Sequence, residues 1–197
     1  LVTTALEETW PKDGAELLFL GEWCKTHKKK ESWKELNSSV LEYHWDDREK
    51  LGRDYHYIQG IYEKILNDLS GKLNEIHSVH HSVRYWRIIV GPWLNYFLDM
   101  LFDRWQMLAL AEQGTDSLEC IVLEREYGEL IPRDMAHFNS LYIEDHWNEG
   151  IYTELLTNFF SDSISIRKVG QKKKRKVQHS TSSGIFRRLK RYVLSKL

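Results

Sequence analysis

Three short segments bring aromatic rings and ionisable groups within a few positions of one another. They are Gly21-Glu22-Trp23-Cys24, Tyr43-His44-Trp45-Asp46-Asp47-Arg48, and residues 80–87 running on to Gly91-Pro92-Trp93. A charge buried without a partner is costly, so a charged group beside large rings is expected to be paired, solvated at its tip or facing a ligand. His44, Asp46 and Asp47 offer a base and two carboxylates just before a helix, which suits acid–base work or ligand binding at a helix N-terminus. Arg84 and Arg87 carry guanidinium forks that match phosphate oxygens, and His81 can neutralise or protonate a leaving phosphate. Trp23, Trp45 and Trp86 bring large apolar area with a polar handle, which suits a binding surface as well as a core, and Glu22 stands beside the first of them. Each cluster also has an ordinary structural reading. Asp47 can cap the helix, Asp46 can pair with Arg48, Trp45 can belong to the core, and the His81-Arg84-Arg87 group can be helix-surface charge or pair with acidic residues.

Cys24 as a nucleophile needs a base and a lowered pKa, and nothing nearby in the sequence supplies either, so a packed thiol is expected. Among His44, Asp46, Asp47, His80 and His81 no metal-ligand spacing recurs, and neither a metal nor a cofactor is implied.

The elements that must position these groups are legible in the apolar pattern. Residues 16–20 form a short apolar run ending at Gly21, read as a buried strand that carries Glu22, Trp23 and Cys24 at its carboxyl end, where ligands gather in open α/β sheets. Leu51, Tyr55, Ile58, Tyr62, Ile65 and Leu69 hold the helical period from 48 to 69, with Asp46 or Asp47 as cap and Ser70-Gly71 as the stop. Pro92 begins a second helix with Leu94, Phe97, Leu98, Leu101, Trp105 and Leu108 on its apolar side, ending at Gln113-Gly114. Residues 120–123 and 164–169 read as further strands. Residues 148–160 read as a helix with Ile151, Leu155, Leu156 and Phe159 on one face.

At 197 residues, with 42% hydrophobic and 13% aromatic content, the chain suits a globular protein and excludes wholesale disorder. The two cysteines belong to no metal or redox spacing and read as reduced thiols of a cytoplasmic protein. The net charge of -1 conceals a split: residues 167–197 hold 12 of the 28 basic residues and none of the 29 acidic ones. An acidic body with a basic end is expected to seek anionic surfaces. Lys172-Lys173-Lys174-Arg175-Lys176-Val177 has the look of a nuclear import signal, but it lacks the aromatic interleaving of a single-strand binding surface, and no nucleic-acid partner is expected. Residues 185–197 place Ile185, Phe186, Leu189, Tyr192, Val193 and Leu197 on one side of a basic amphipathic helix, which fits an anionic membrane surface. Asp99, Asp103 and Arg104 interrupt the longest apolar region and argue against a membrane span.

The clusters taken in order carry a resemblance. Thr3-Thr4-Ala5-Leu6-Glu7-Glu8-Thr9-Trp10, Phe19-Leu20-Gly21-Glu22-Trp23-Cys24, Tyr43 through Lys50, and His81-Ser82 through Arg84-Tyr85-Trp86-Arg87 to Gly91-Pro92-Trp93 resemble the N-terminal part of a bacterial family of transferases of surface-polysaccharide (O-antigen-type) biosynthesis. The resemblance covers residues 1–125 closely and the remainder loosely. It implies a helix-rich, Rossmann-like α/β layer domain, the first half of a two-domain glycosyltransferase architecture, facing the acceptor while the second half grips the donor. It also implies a nucleotide-sugar donor and a glycan acceptor as partners, and a chain that is a fragment without the donor half.

The expected organisation is therefore an α/β body over 1–166, a basic linker over 167–184 and an amphipathic helix over 185–197. The expected activity is sugar transfer to a surface glycan, in the cytoplasm or peripherally at the inner membrane. One of His44, Asp46 and Asp47 would be the base, His81, Arg84 and Arg87 would face phosphate, and Glu22, Trp23, Trp45 and Trp86 would contact sugars. The rival from another class is a non-catalytic binding module docked through its basic end on anionic lipid or nucleic acid.

Overall fold

The computed structural model describes residues 1–114, 117–125 and 127–170. The linker and amphipathic helix expected beyond Gly170 lie outside the described residues. The elements are mixed α and β, with short parallel strands and long helices. In chain order they are β1 (Leu17–Phe19), α1 (Lys30–Trp33), β2 (Ser38–Val40), α2 (Arg48–His77), α3 (Val83–Ile89), α4 (Gly91–Gly114), β3 (Leu118–Leu123), α5 (Met135–Leu141), α6 (Asp145–Leu155) and β4 (Ile164–Val169). Within the described residues these form two compact units, one of 1–44 with 105–170 and the other of 45–104, where a single body over 1–166 was expected. Each has its own logic.

In the first unit β1 and β2 pair in parallel with Leu17 opposite Ser38, and β3 and β4 pair in parallel with Leu118 opposite Ile164. The N-terminal segment joins β1: Val2 N–H donates to Leu18 O at 2.9 Å and Leu20 N–H to Val2 O at 2.8 Å. On its other side the Leu1 nitrogen donates to the Glu119 carbonyl at 2.6 Å. All of β3 except Glu119 is buried, the near-continuous apolar run of a strand covered on both faces. Val2, Trp10, Leu17, Phe19 and Cys24 form one buried cluster, with Trp33 and Val40 packed on it. Each such side chain contributes about 1.5–3 kcal/mol.

Two expectations are corrected here. The boundary after residue 166 falls inside β4, whose Arg167 pairs across the ladder with Glu119 at 2.5 Å. The helix read over 148–160 begins at Asp145 and ends in a π-turn, Leu156–Phe160. That wider turn shifts the register, so Phe160 is buried and Phe159 is exposed.

The second unit is built on α2 and α4, antiparallel neighbours. Gln59 Nε2 donates to Asn95 Oδ1 at 3.2 Å, Tyr57 contacts the Phe102 ring, and Gly91 lies where a Cβ would come 2.6 Å from the Tyr62 hydroxyl. Ile58, Tyr62, Ile65 and Leu69 of the expected stripe are buried, whereas Tyr55 is exposed. The stop expected at Ser70-Gly71 does not occur, because Ser70 Oγ bonds the Leu66 carbonyl one turn back and stays inside the helix. Instead α2 runs on to His77, where Ser78 takes a left-handed conformation (φ 52°) and returns its N–H to the last turn.

Candidate functional site

The carboxyl ends of the parallel segments in the first unit collect its polar and aromatic groups. Beyond Val2 the chain carries buried Thr3 and Thr4; beyond β1 it carries Gly21, Glu22 and Trp23; beyond β2 come Tyr43 and His44; beyond β3 comes Arg125. Trp23 Nε1 donates to the Thr3 carbonyl at 3.0 Å, tying the β1 end to the N-terminal segment. The Trp23 ring meets Tyr43 edge-on at 6.3 Å, and Tyr43 meets His44 at 5.2 Å, so an aromatic row crosses the two segment ends after β1 and β2. Trp23 is 37% exposed, whereas His44 is buried. Glu22 opens a tight helical turn with its side chain in solvent.

Gly21 is required by space. Its backbone is extended, but a Cβ there would overlap the Trp23 ring. Cys24, next along, is fully buried, and burial pushes its thiol up to about 12, so it is a packed thiol.

The loop after Thr4 is held from all sides. Trp10 Nε1 donates to Thr4 O at 3.2 Å, the Lys29 ammonium donates to Ala5 O, and Ala5 N–H donates to Asp145 Oδ1 at 3.4 Å. One turn further along α6, Glu149 is 1% exposed. Its Oε1 accepts from Leu123 N and Thr153 Oγ1, both at 2.8 Å, and its Oε2 accepts from Arg125 at 2.5 Å. Gly150 lets Arg125 lie flat on α6, since a Cβ at 150 would stand 3.0 Å from Arg125 Cδ. Sequence reasoning passed over Thr4, Arg125 and Glu149. The signal was a carboxylate at 149 closely flanked by Trp147, Gly150, Ile151 and Tyr152.

The remaining expected site residues lie in the second unit and do not share one place there. Asp47 caps α2: its Oδ1 accepts from Glu49 N at 2.9 Å and Lys50 N at 3.0 Å. The Lys50 N–H first, then Glu49 N–H and the Arg53 guanidinium, hold its carboxyl below the usual range. Trp45 stacks on Phe102 at 6.3 Å and donates to Asp54 Oδ2 at 3.0 Å. Asp46 is exposed, with no ion pair among the described residues.

Arg87 makes a two-pronged pair with Glu63, both bonds 2.6 Å, and lies over the Tyr62 ring. Sixteen residues of helix separate Asp47 from Glu63, about 24 Å. Asp47 and Arg87 therefore stand at different stations along α2, and the expected single pocket of these groups does not form. Trp86 is 6% exposed and cannot present a stacking wall; its Nε1 donates to Asn74 Oδ1 at 2.9 Å. His81 is fastened to the same Asn74 through its own N–H and carbonyl, with its ring stacked on Tyr85 at 3.9 Å. Arg84 is exposed, and its side chain has no hydrogen bond or ion pair among the described residues. Among the described residues no group of three or more His, Cys, Asp or Glu could hold a metal ion, and no helix is long and apolar enough to cross a membrane.

The carboxyl ends of parallel strands are where α/β proteins bind their ligands, and in the first unit they carry rings, a carboxylate and buried hydroxyls. The protein is a mixed α/β protein of that kind. It belongs to the LIC12162 family of transferases, whose family model matches residues 1–197, the basic end included. No curated protein and no solved structure matches the chain.

Proposed function

We propose that this transferase moves a sugar from a nucleotide donor to a growing cell-surface glycan, and that the crevice of the first unit receives the acceptor. The observation that carries the reading is the exposed Trp23 face beside the solvated Glu22 carboxylate at the carboxyl end of β1. A sugar ring presents an apolar C–H face to an indole and hydroxyls to a carboxylate, and few other ligands need both at once. In the reaction the acceptor hydroxyl oxygen attacks the anomeric carbon, the bond to the nucleoside diphosphate breaks with its electron pair, and the hydroxyl proton passes to Glu22.

A Rossmann-like first unit is part of the same proposal, supported by two parallel pairs, β1 with β2 and β3 with β4, on either side of the N-terminal segment. If the N-terminal segment is the central strand, with β1 and β2 on one side and β3 and β4 on the other, the order is that of a doubly wound sheet, whose switch point lies between the N-terminal segment and β3. By the family resemblance this chain is the acceptor-facing half of a two-domain enzyme, and the O-antigen-type context and the membrane-facing role of the basic end belong to the same proposal.

The test is transfer of radiolabelled sugar from a panel of nucleotide sugars into membrane glycan by the full-length enzyme. Glu22→Gln is expected to lower transfer at least a hundredfold with Tm unchanged. Undiminished transfer by the variant, or no transfer from any nucleotide sugar by the wild type, contradicts the proposal.

A further inference from the structure

Where α3 passes into α4, the second unit leaves an apolar stripe in solvent. Tyr85, Ile88, Ile89, Pro92 and Tyr96 are all exposed, Ile88 at 69%, Ile89 at 57% and Tyr96 at 60%. Their spacing of i, i+3, i+4, i+7 and i+11 is that of one helix face. The face carries across the joint because the joint is a single residue. Val90 keeps a right-handed helical conformation, its N–H donates to Trp86 O at 2.8 Å, and its carbonyl accepts from Leu94 N–H at 2.9 Å. The other side packs inward, with Trp86, Leu94 and Leu98 buried. Two adjacent isoleucines more than half exposed add little to packing, and a contiguous apolar stripe of this kind marks a docking surface.

Charge selects the occupant. Between Glu75 and Asp99 the chain holds Arg84, Arg87 and three histidines, and neither Asp nor Glu. Arg87 is matched by Glu63, which leaves exposed Arg84, beside Tyr85, as the cation at the rim, with His81 stacked on the Tyr85 ring. A second copy of this chain would bring the same cationic rim. The chain's own segment 185–197 would add five Lys or Arg and no acid, so neither complements the stripe. A bilayer with anionic headgroups does. Isoleucines reach the acyl boundary, tyrosines sit at headgroup level with their hydroxyls wet, and Arg84 meets lipid phosphate. We infer that the Tyr85-Ile88-Ile89-Tyr96 face of the second unit docks peripherally on an anionic lipid bilayer. The surface lies wholly in the second unit, is distinct in sequence from the basic end, and is independent of the sugar chemistry proposed for the first unit.

The test is sedimentation of the full chain with vesicles of equal parts phosphatidylglycerol and phosphatidylcholine, set against phosphatidylcholine alone. Ile88→Gln combined with Ile89→Gln puts a helix former at two exposed positions and should leave Tm unchanged. Partitioning of that double variant onto the anionic vesicles should fall at least about tenfold. Arg84→Gln should lower it about fivefold. Wild-type binding by the double variant assigns any membrane affinity to the basic end and overturns the inference. Equal wild-type binding to both vesicle types, or to neither, overturns it as well. Should the double variant lose stability, Ile88→Cys answers the same question: Cys24 and Cys120 are buried, so an environment-sensitive fluorophore reacts at position 88. Its emission is expected to shift to the blue only when anionic vesicles are added. A label already blue-shifted without vesicles shows the face covered by residues 185–197 or by a second copy, and it overturns the inference. So does a label that anionic vesicles leave unshifted.

Discussion

Asn74 Oδ1 accepts the indole N–H of Trp86 at 2.9 Å, and the same amide clasps both backbone groups of His81. One side chain near the end of α2 therefore fixes the entry of α3. A cluster that reads in sequence as a phosphate grip is a helix-to-helix clamp. Asn74→Ala leaves the buried indole N–H without a partner and should cost about 2–3 kcal/mol in urea unfolding, while sugar affinity at the crevice stays as it was.

Asp47 makes a second, pH-dependent prediction. Its carboxyl is held below the ordinary range by backbone donors, so its contribution is present above the unfolded carboxylate pKa of about 3.9 and is lost as pH falls through the folded value. Asp47→Ala should lower Tm by a few degrees at pH 7 and match the wild type in strong acid. Asp47→Asn, still a good cap, should stay near the wild type in both stability and turnover.

Asp99 has the opposite sign. It is half-buried on α4, its carboxyl is raised by desolvation, and Asn95 Nδ2 donates to it at 3.1 Å. A raised folded pKa favours folding in acid, and that benefit disappears as pH rises through the folded value. Asp99→Asn keeps the hydrogen bond without the charge. It should raise Tm by about 1–3 °C at pH 7, with no gain at pH 3, measured by calorimetry.

Gly21→Ala tests the aromatic wall without touching a polar group. The new methyl must push Trp23 away and break its bond to the Thr3 carbonyl. We expect a loss of about 1–3 kcal/mol in stability and loss of sugar binding. Unchanged affinity would show that the Trp23 face is not used.

Much of the fold was legible because its signals are local. The apolar period of α2 and α4, the Asp47 cap and the apolar runs of β1 and β3 each follow from a few neighbouring residues. The Ser70-Gly71 stop was misread because a serine that bonds the carbonyl four residues back sits comfortably inside a helix. In the site, Glu22 and Trp23 were found from their place after a strand. Thr4, Arg125 and Glu149 were not, because 118 residues separate the strand ends that Leu1 and Glu119 bring side by side, and no window of sequence shows that pairing. Trp86 misled for a related reason: its burial depends on Asn74, twelve positions earlier on another helix.

The most direct test follows the indole N–H resonances of the 8 tryptophans while neutral methyl glycosides are added. The Trp23 resonance is predicted to shift in step with sugar concentration while that of Trp86, buried against Asn74, stays in place. A titration that moves the Trp86 signal and leaves that of Trp23 untouched contradicts the assignment of the crevice.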